Sequence, residues 1–81
     1  MVGWDGPTLA FIEVKTRTGT EAGPPETAVS LRQQRRIVKG AQEYMRRLKR
    51  RPVAYRFDIA SVLWNPAMGY QVRVIKDAFK E

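Results

Sequence analysis

With 81 residues and a formal net charge of +7, the chain holds one domain at most, and a domain of that size buries only ~60% of the surface its unfolded chain exposes. Cysteine and histidine are both absent. Disulfides, thiolate and imidazole nucleophiles, zinc-thiolate sites and histidine-ligated metals are therefore excluded, which leaves carboxylates, lysine and backbone oxygens, hard ligands suited to Mg²⁺, Mn²⁺ or Ca²⁺.

The opening Met1 to Asp5 lacks the regions of a signal peptide, and no apolar run approaches a membrane span. A cytoplasmic protein without membrane contact is expected. Trp4-Asp5-Gly6-Pro7 is a turn signal of Asp-Gly type, and only Met1, Val2 and Gly3 stand before it as the end of a strand. Leu9 to Thr16 then reads as a nearly buried strand. Side chains on a strand repeat every two residues, so Glu13 and Lys15 project from one face. A carboxylate and an ammonium are costly to bury there unless they pair or serve a ligand. The two are either a plain ion pair or the Glu-x-Lys half of a metal-dependent nuclease site, in which the acid holds Mg²⁺ and the lysine orients or activates the attacking water. Thr16 to Pro25 follows as a Gly/Pro/Thr-rich loop, expected to be mobile.

Ser30 is the expected N-cap of a helix, with Gln33 completing a capping box. Its apolar stripe runs Leu31, Val38, Ala41, Met45, Leu48, flanked by Ile37 and Tyr44. Gln34 fills the one vacancy in that stripe. Its amide either satisfies a backbone group or reaches the polar cluster at Glu13 and Lys15. Gly40 costs about 1 kcal/mol relative to alanine in a helix and is read as a close approach to the sheet. The helix is expected to stop by Arg51, because Pro52 disfavours a helical residue before it.

This segment also holds the charge. Arg32, Arg35, Arg36, Lys39, Arg46, Arg47, Lys49, Arg50 and Arg51 face one acid, Glu43, so residues 32–51 carry +8 and the remainder −1. A concentrated basic element on an otherwise neutral domain is the footprint of a polyanion partner, and arginine suits phosphate geometry. A solvated basic face is the plainer alternative.

Val53 to Trp64 reads as a long strand with Tyr55, Phe57 and Ile59 on one face and Ala54, Arg56, Asp58 and Ala60 on the other. Asn65 to Gly69 is a hairpin loop, Tyr70 to Ile75 a last strand, and Asp77-Ala78-Phe79 a terminal turn with Phe79 packed down.

Taken in order, Phe11-Ile12-Glu13-Val14-Lys15-Thr16-Arg17, Val29-Ser30-Leu31-Arg32-Gln33-Gln34-Arg35-Arg36, Arg56-Phe57-Asp58-Ile59 and Asp77-Ala78-Phe79 resemble the YraN-like family of small bacterial proteins. That family is similar to archaeal Holliday-junction resolvases and falls in the PD-(D/E)xK nuclease superfamily. The resemblance covers essentially the whole chain. It implies an α/β, restriction-endonuclease-like core in a single domain: a mixed β-sheet with a basic helix packed on it. It further implies an endonuclease-type activity on DNA, branched DNA included, with RNA the lesser partner. Glu13 would be the metal-binding acid for Mg²⁺ or Mn²⁺, Lys15 the catalytic lysine and Gln34 the glutamine of the helix after the active-site strands. Arg17 would join Arg32, Arg35, Arg36, Lys39, Arg46, Arg47, Arg50 and Arg51 as nucleic-acid contacts. Asp58 matches too, either as a structural acid paired with Arg56 or a backbone donor, or as a ligand.

One departure bears on catalysis. The family pattern before this strand runs Gly-Glu-Ile-Asp-Leu-Ile/Val, and its aspartate is the principal metal ligand. Met1 falls just after the place of that aspartate, and Asp5 comes several residues too late to replace it. The N-terminal helix and most of the first strand are likewise expected to be lacking, through a start assigned downstream or a truncated copy. Glu13 alone leaves a weakly held, largely hydrated ion, so the alternative is a nucleic-acid-binding protein without catalysis that uses the basic helix 31–51. The shortened first strand also implies an open sheet edge along Leu9 to Thr16 and an uncovered sheet face, either of which suits a homodimer.

Overall fold

The computed structural model describes residues 1–18 and 29–80. Its elements are β1 (Val2–Asp5), β2 (Thr8–Thr18), α1 (Leu31–Arg46), β3 (Ala54–Asn65) and β4 (Gly69–Phe79). The sheet order is β1-β2-β3-β4, with β1/β2 and β3/β4 antiparallel and β2/β3 parallel. A parallel pair needs a crossover connection, and α1 lies within the segment joining β2 to β3. The chain is thus α/β, a mixed four-stranded sheet with one helix, as the sequence leads one to expect. None of the described helices is long and apolar enough to cross a membrane.

The core lies between α1 and one sheet face. Leu9 and Phe11 of β2, Phe57 and Ile59 of β3, Phe79 of β4 and Ala41 and Met45 of α1 are buried there. Period-two alternation places all five strand residues on that face. Phe57 links the strands, stacking on Phe11 at 5.8 Å and on Phe79 at 5.1 Å between ring centroids.

Several boundaries differ from the sequence reading. The first turn is Gly6-Pro7 rather than Asp5-Gly6: Asp5 pairs with Thr8 as the last rung of β1. Gly6 adopts φ 59°, a conformation that glycine reaches without a Cβ penalty. β1 pairs Val2 to Asp5 with Phe11 to Thr8. One further rung joins Met1 and Ile12, the Ile12 amide donating to the Met1 carbonyl at 2.7 Å and the Met1 ammonium to the Ile12 carbonyl at 3.1 Å. The edge expected to be open from Leu9 is therefore covered as far as Ile12. β2 itself runs on to Thr18, so the loop expected from Thr16 begins no earlier than residue 19, and its body lies outside the described residues.

The helix ends at Arg46, with Arg47 as C-cap, five residues short of the expected Arg51. The amides of Arg47 and Leu48 turn back to the carbonyls of Tyr44 and Met45, tightening the last turn. A longer helix would stack Arg46 on Arg50 and Arg47 on Arg51, and like charges four apart repel. Leu31 is 69% exposed and lies outside the core. Gly40 meets no atom within 4 Å of a Cβ built on it, so it marks no close approach to the sheet.

The expected terminal turn at Asp77-Ala78-Phe79 is instead strand. β4 reaches Phe79 through a bulge, since the register steps from Ile59↔Ile75 to Phe57↔Phe79 and sets Lys76, Asp77 and Ala78 against Asp58. Phe79 packs down as expected.

Candidate nuclease-type site

Glu13 and Lys15 sit on the helix-facing side of β2, next in register to Ile59 and Ser61 of β3. Leu9 and Phe11 carry the same face into the core. The strand thus changes from apolar to charged beyond Phe11. Lys15 Nζ lies 3.5 Å from Glu13 Oε1, with the side chains 26% and 33% exposed. Partly buried as both are, their attraction is set against the cost of taking two charges out of water. Arg17 follows on the same face, half-buried. From Glu13 onward, the side of β2 away from β3 carries none of the β1 rungs.

Opposite Glu13 stands the first half of α1. Ser30 closes the capping box with Gln33: the Gln33 amide donates to Ser30 Oγ at 3.2 Å and the Ser30 amide to Gln33 Oε1 at 3.1 Å. At about 100° per residue, Gln33, Arg36, Ile37 and Tyr44 share the flank of α1 toward β2, where the Tyr44 ring meets Phe11 edge-on at 5.9 Å. A surface cleft of about 280 Å³ opens between this flank and the strand, lined by Glu13, Gln33, Arg36 and Ile37. A second cleft of about 470 Å³, lined by Ser30, Arg32, Gln33 and Arg36, shares two of those residues.

The structure brings Glu13 and Lys15 together. Gln34 is half-buried and spends its amide elsewhere, Nε2 donating to the Val29 carbonyl at 3.1 Å. It ties the residue before the N-cap to the first turn, the first of the two roles its position in the stripe allowed. Gln33 and Arg36 are the polar helix residues that border Glu13. Arg36 is recognisable in the sequence as a basic residue, but that it alone of the α1 cations lines the cleft at Glu13 appears only when the helix is packed on the sheet. Arg32, Arg35, Lys39 and Arg46 lie roughly on the side away from the sheet. All are exposed, with Arg46 bonded to Glu43 at 3.3 Å. Arg47, Arg50 and Arg51 are exposed in and after the C-cap.

Asp58 is 2% exposed on the opposite sheet face. Its Oδ1 accepts from Arg56 Nε at 3.0 Å and from the Asp77 amide at 2.9 Å. Arg56 also bonds Asp5 at 3.0 Å, and Lys76 stands 3.6 Å from the same Asp5 oxygen. The Arg56 hydrogen bond, with the charges of Lys76 and Arg56, holds the Asp5 carboxyl below its usual range. Its hydrogen bond to the Asp58 carboxylate in turn raises the Arg56 guanidinium above its own. This network ties β1, β3 and β4 together. Asp5 belongs to it and not to the Glu13 site, which faces the other way.

Glu13 is thus one carboxylate. Among the described residues no three His, Cys, Asp or Glu side chains are grouped to hold a metal ion. The donor set does not fit a resident Mg²⁺ or Mn²⁺, which a site would ordinarily fix with more than one protein ligand or with substrate phosphate.

Comparison with known proteins places these features in a family. The uncharacterised protein family UPF0102 matches residues 1–62. The chain is similar to a UPF0102 protein of Solibacter usitatus, 49% identical over 63 residues, covering 78% of this chain and 48% of that protein. It is also similar to those of Clostridium tetani, 37% identical over 81 residues (99% and 66%), and Symbiobacterium thermophilum, 39% identical over 79 residues (98% and 67%). The chain therefore spans between about half and two thirds of the length of these relatives. No solved structure matches it. On the family match and these identities, the chain belongs to UPF0102, the YraN-like family that its strand and helix motifs resemble.

Proposed function

We propose that the domain binds DNA through the basic residues of α1 and its C-terminal connection, and presents a backbone phosphodiester to Glu13 and Lys15 in the manner of a PD-(D/E)xK nuclease. The observation that carries this reading is the pair itself: a carboxylate and an ammonium 3.5 Å apart, both partly buried, on the continuation of a strand whose other half is core. On a restriction-endonuclease-like core, which the parallel β2/β3 pair with α1 on one face supports, Lys15 is the proton-handling and phosphate-orienting group. Glu13 is the one carboxylate for a hard cation. Mg²⁺ or Mn²⁺ binding by this chain is weak and mostly through water, so hydrolysis needs a further acid from outside the described residues.

Binding without hydrolysis is the second reading, and the single carboxylate favours it for the 81-residue chain. Incubation with branched and linear DNA in Mg²⁺ and in Mn²⁺, alongside Glu13→Ala, separates the two. Cleavage lost in the variant establishes the nuclease, whereas intact substrate with retained, salt-sensitive binding leaves the binding module. Absence of both overturns the proposal.

A further inference from the structure

We infer that the cleft between Glu13 and the β2-facing flank of α1 is a subsite for one internal phosphodiester, with Arg36 as its anion anchor and Gln33 as an accessory donor. The inference rests on the DNA-binding reading above and adds a place and a residue to it. Lys15 and Arg36 flank the carboxylate of Glu13 from strand and helix, so the three groups carry a net charge of one positive. An internal phosphodiester carries one negative charge and neutralises that set. A terminal phosphomonoester, at ≈ −1.5 to −2 near neutral pH, overfills it and meets the Glu13 carboxylate with greater repulsion.

Geometry points the same way. Arg36 lines both clefts and presents a planar fork of donors matched to non-bridging phosphate oxygens. Arg32, four residues before it on the same helix face, lines only the cleft at Ser30, and Arg35, Lys39 and Arg46 line neither cleft. The Gln33 carbonyl is occupied by the Ser30 amide, which fixes the side chain and leaves Nε2, a group that can only donate, as its remaining polar group. The two clefts meet at Gln33 and Arg36, so a strand whose phosphate sits beside Glu13 has a path past Ser30 and Arg32.

The test uses the whole chain and three small probes followed by amide NMR: the dinucleotide dTpdT, its uncharged methylphosphonate analogue, and thymidine 5′-monophosphate. The expected result is that dTpdT shifts the amides of Glu13, Lys15, Gln33, Arg36 and Ile37, the methylphosphonate does not, and the monophosphate binds more weakly. Arg36→Gln lowers dTpdT affinity by about tenfold. Arg36→Lys restores part of it, and Lys80→Gln, at an exposed cation beyond the end of β4, leaves the dTpdT shifts in place. A parallel titration with long duplex DNA keeps the two claims apart. Duplex bound equally well by wild type and Arg36→Gln, with dTpdT shifts confined to residues 46–51, overturns the subsite and leaves DNA binding standing. Probe binding at the cleft without duplex binding keeps the subsite and removes the broader reading. No response to either ligand overturns both.

Discussion

Asp58 and Asp77 are joined by a single hydrogen bond, the amide of Asp77 donating to Asp58 Oδ1 at 2.9 Å, and Asp77 is the only described residue other than glycine with positive φ, 54°. The buried carboxylate thus holds open the bulge through which β4 regains its register and returns Phe79 to the core. A hydrogen bond to a charged group is worth ~1.5–3 kcal/mol. Asp58→Ala is expected to cost about that much in urea unfolding, with near-ultraviolet dichroism reporting a loosened Phe79 end. At Asp77, valine is expected to cost about 1–2 kcal/mol while glycine is tolerated, because a β-branched residue is strained at positive φ. An Asp58→Ala protein as stable as wild type would show that the bulge holds without the carboxylate.

The family motif already marked Asp58 and the strand carrying it, and Arg56 two residues earlier was readable as its partner. The sequence could not show that Asp77 supplies the second bond, because a bulge is a property of register between strands and leaves no local period. The capping box at Ser30 and Gln33 was legible for the opposite reason, being complete within four residues. Gln34 and Gly40 illustrate the middle case: the helical period places them on a face, but whether an amide meets Val29 or Glu13, and whether a glycine meets anything, depends on how far the helix stands from the sheet. Arg36 was submerged among eight other cations in one segment and is singled out only by the packing of α1, which sets it on the cleft at Glu13.

Gly40 occupies a helix interior with open space at its missing Cβ. Alanine there removes backbone entropy from the unfolded chain and clashes with nothing, so Gly40→Ala is expected to stabilise by about 0.5–1 kcal/mol. Thermal unfolding of the two proteins decides it, and a destabilised variant would mean that α1 sits closer to β2 than described.

Asp5 ties β1 to Arg56 and Lys76, and its carboxyl titrates below the usual range because those cations favour its charged form. Its contribution is therefore complete above the usual carboxylate pKa and is lost as pH falls through the depressed value. Asp5→Asn is expected to lower the urea midpoint at neutral pH and to converge with wild type in strong acid. A constant gap at all pH values would show that the asparagine acts by altered packing of β1.

On the proposed reading, the exposed arginines at the end of the helix are expected to set the salt dependence of DNA binding. Each phosphate contact contributes a slope of about −0.9 in log affinity against log salt. Replacing Arg46, Arg47, Arg50 and Arg51 by glutamine is expected to reduce the slope by about three units, Arg46 being partly engaged by Glu43. Anisotropy titrations at several salt concentrations measure it, and an unchanged slope would move the interface to Arg17 and the first turns of α1.

The sheet face away from α1 carries Val14, Trp64, Tyr70, Val72 and Val74, each between 40% and 70% exposed, with Ile12, Ala60 and Val62 half-buried among them. Alternation along β2, β3 and β4 gathers these on one side, and contiguous apolar patches of this kind are uncommon on soluble monomers. At the other end of the face, Asp5, Arg56, Asp58 and Lys76 compensate one another, so no charge of one sign opposes a second copy. Since β1 already covers the edge of β2 as far as Ile12, the face offers the larger contact. The 81-residue chain is therefore expected to self-associate through it as a two-fold dimer. Val72→Lys together with Val74→Lys places two ammonium groups at the centre of that contact, on side chains exposed enough to be replaced without disturbing the core. Sedimentation equilibrium over a concentration series should give a wild-type dimer and a folded monomeric variant, and a wild-type monomer throughout would show that this surface is stable against water or is covered by something other than its own copy.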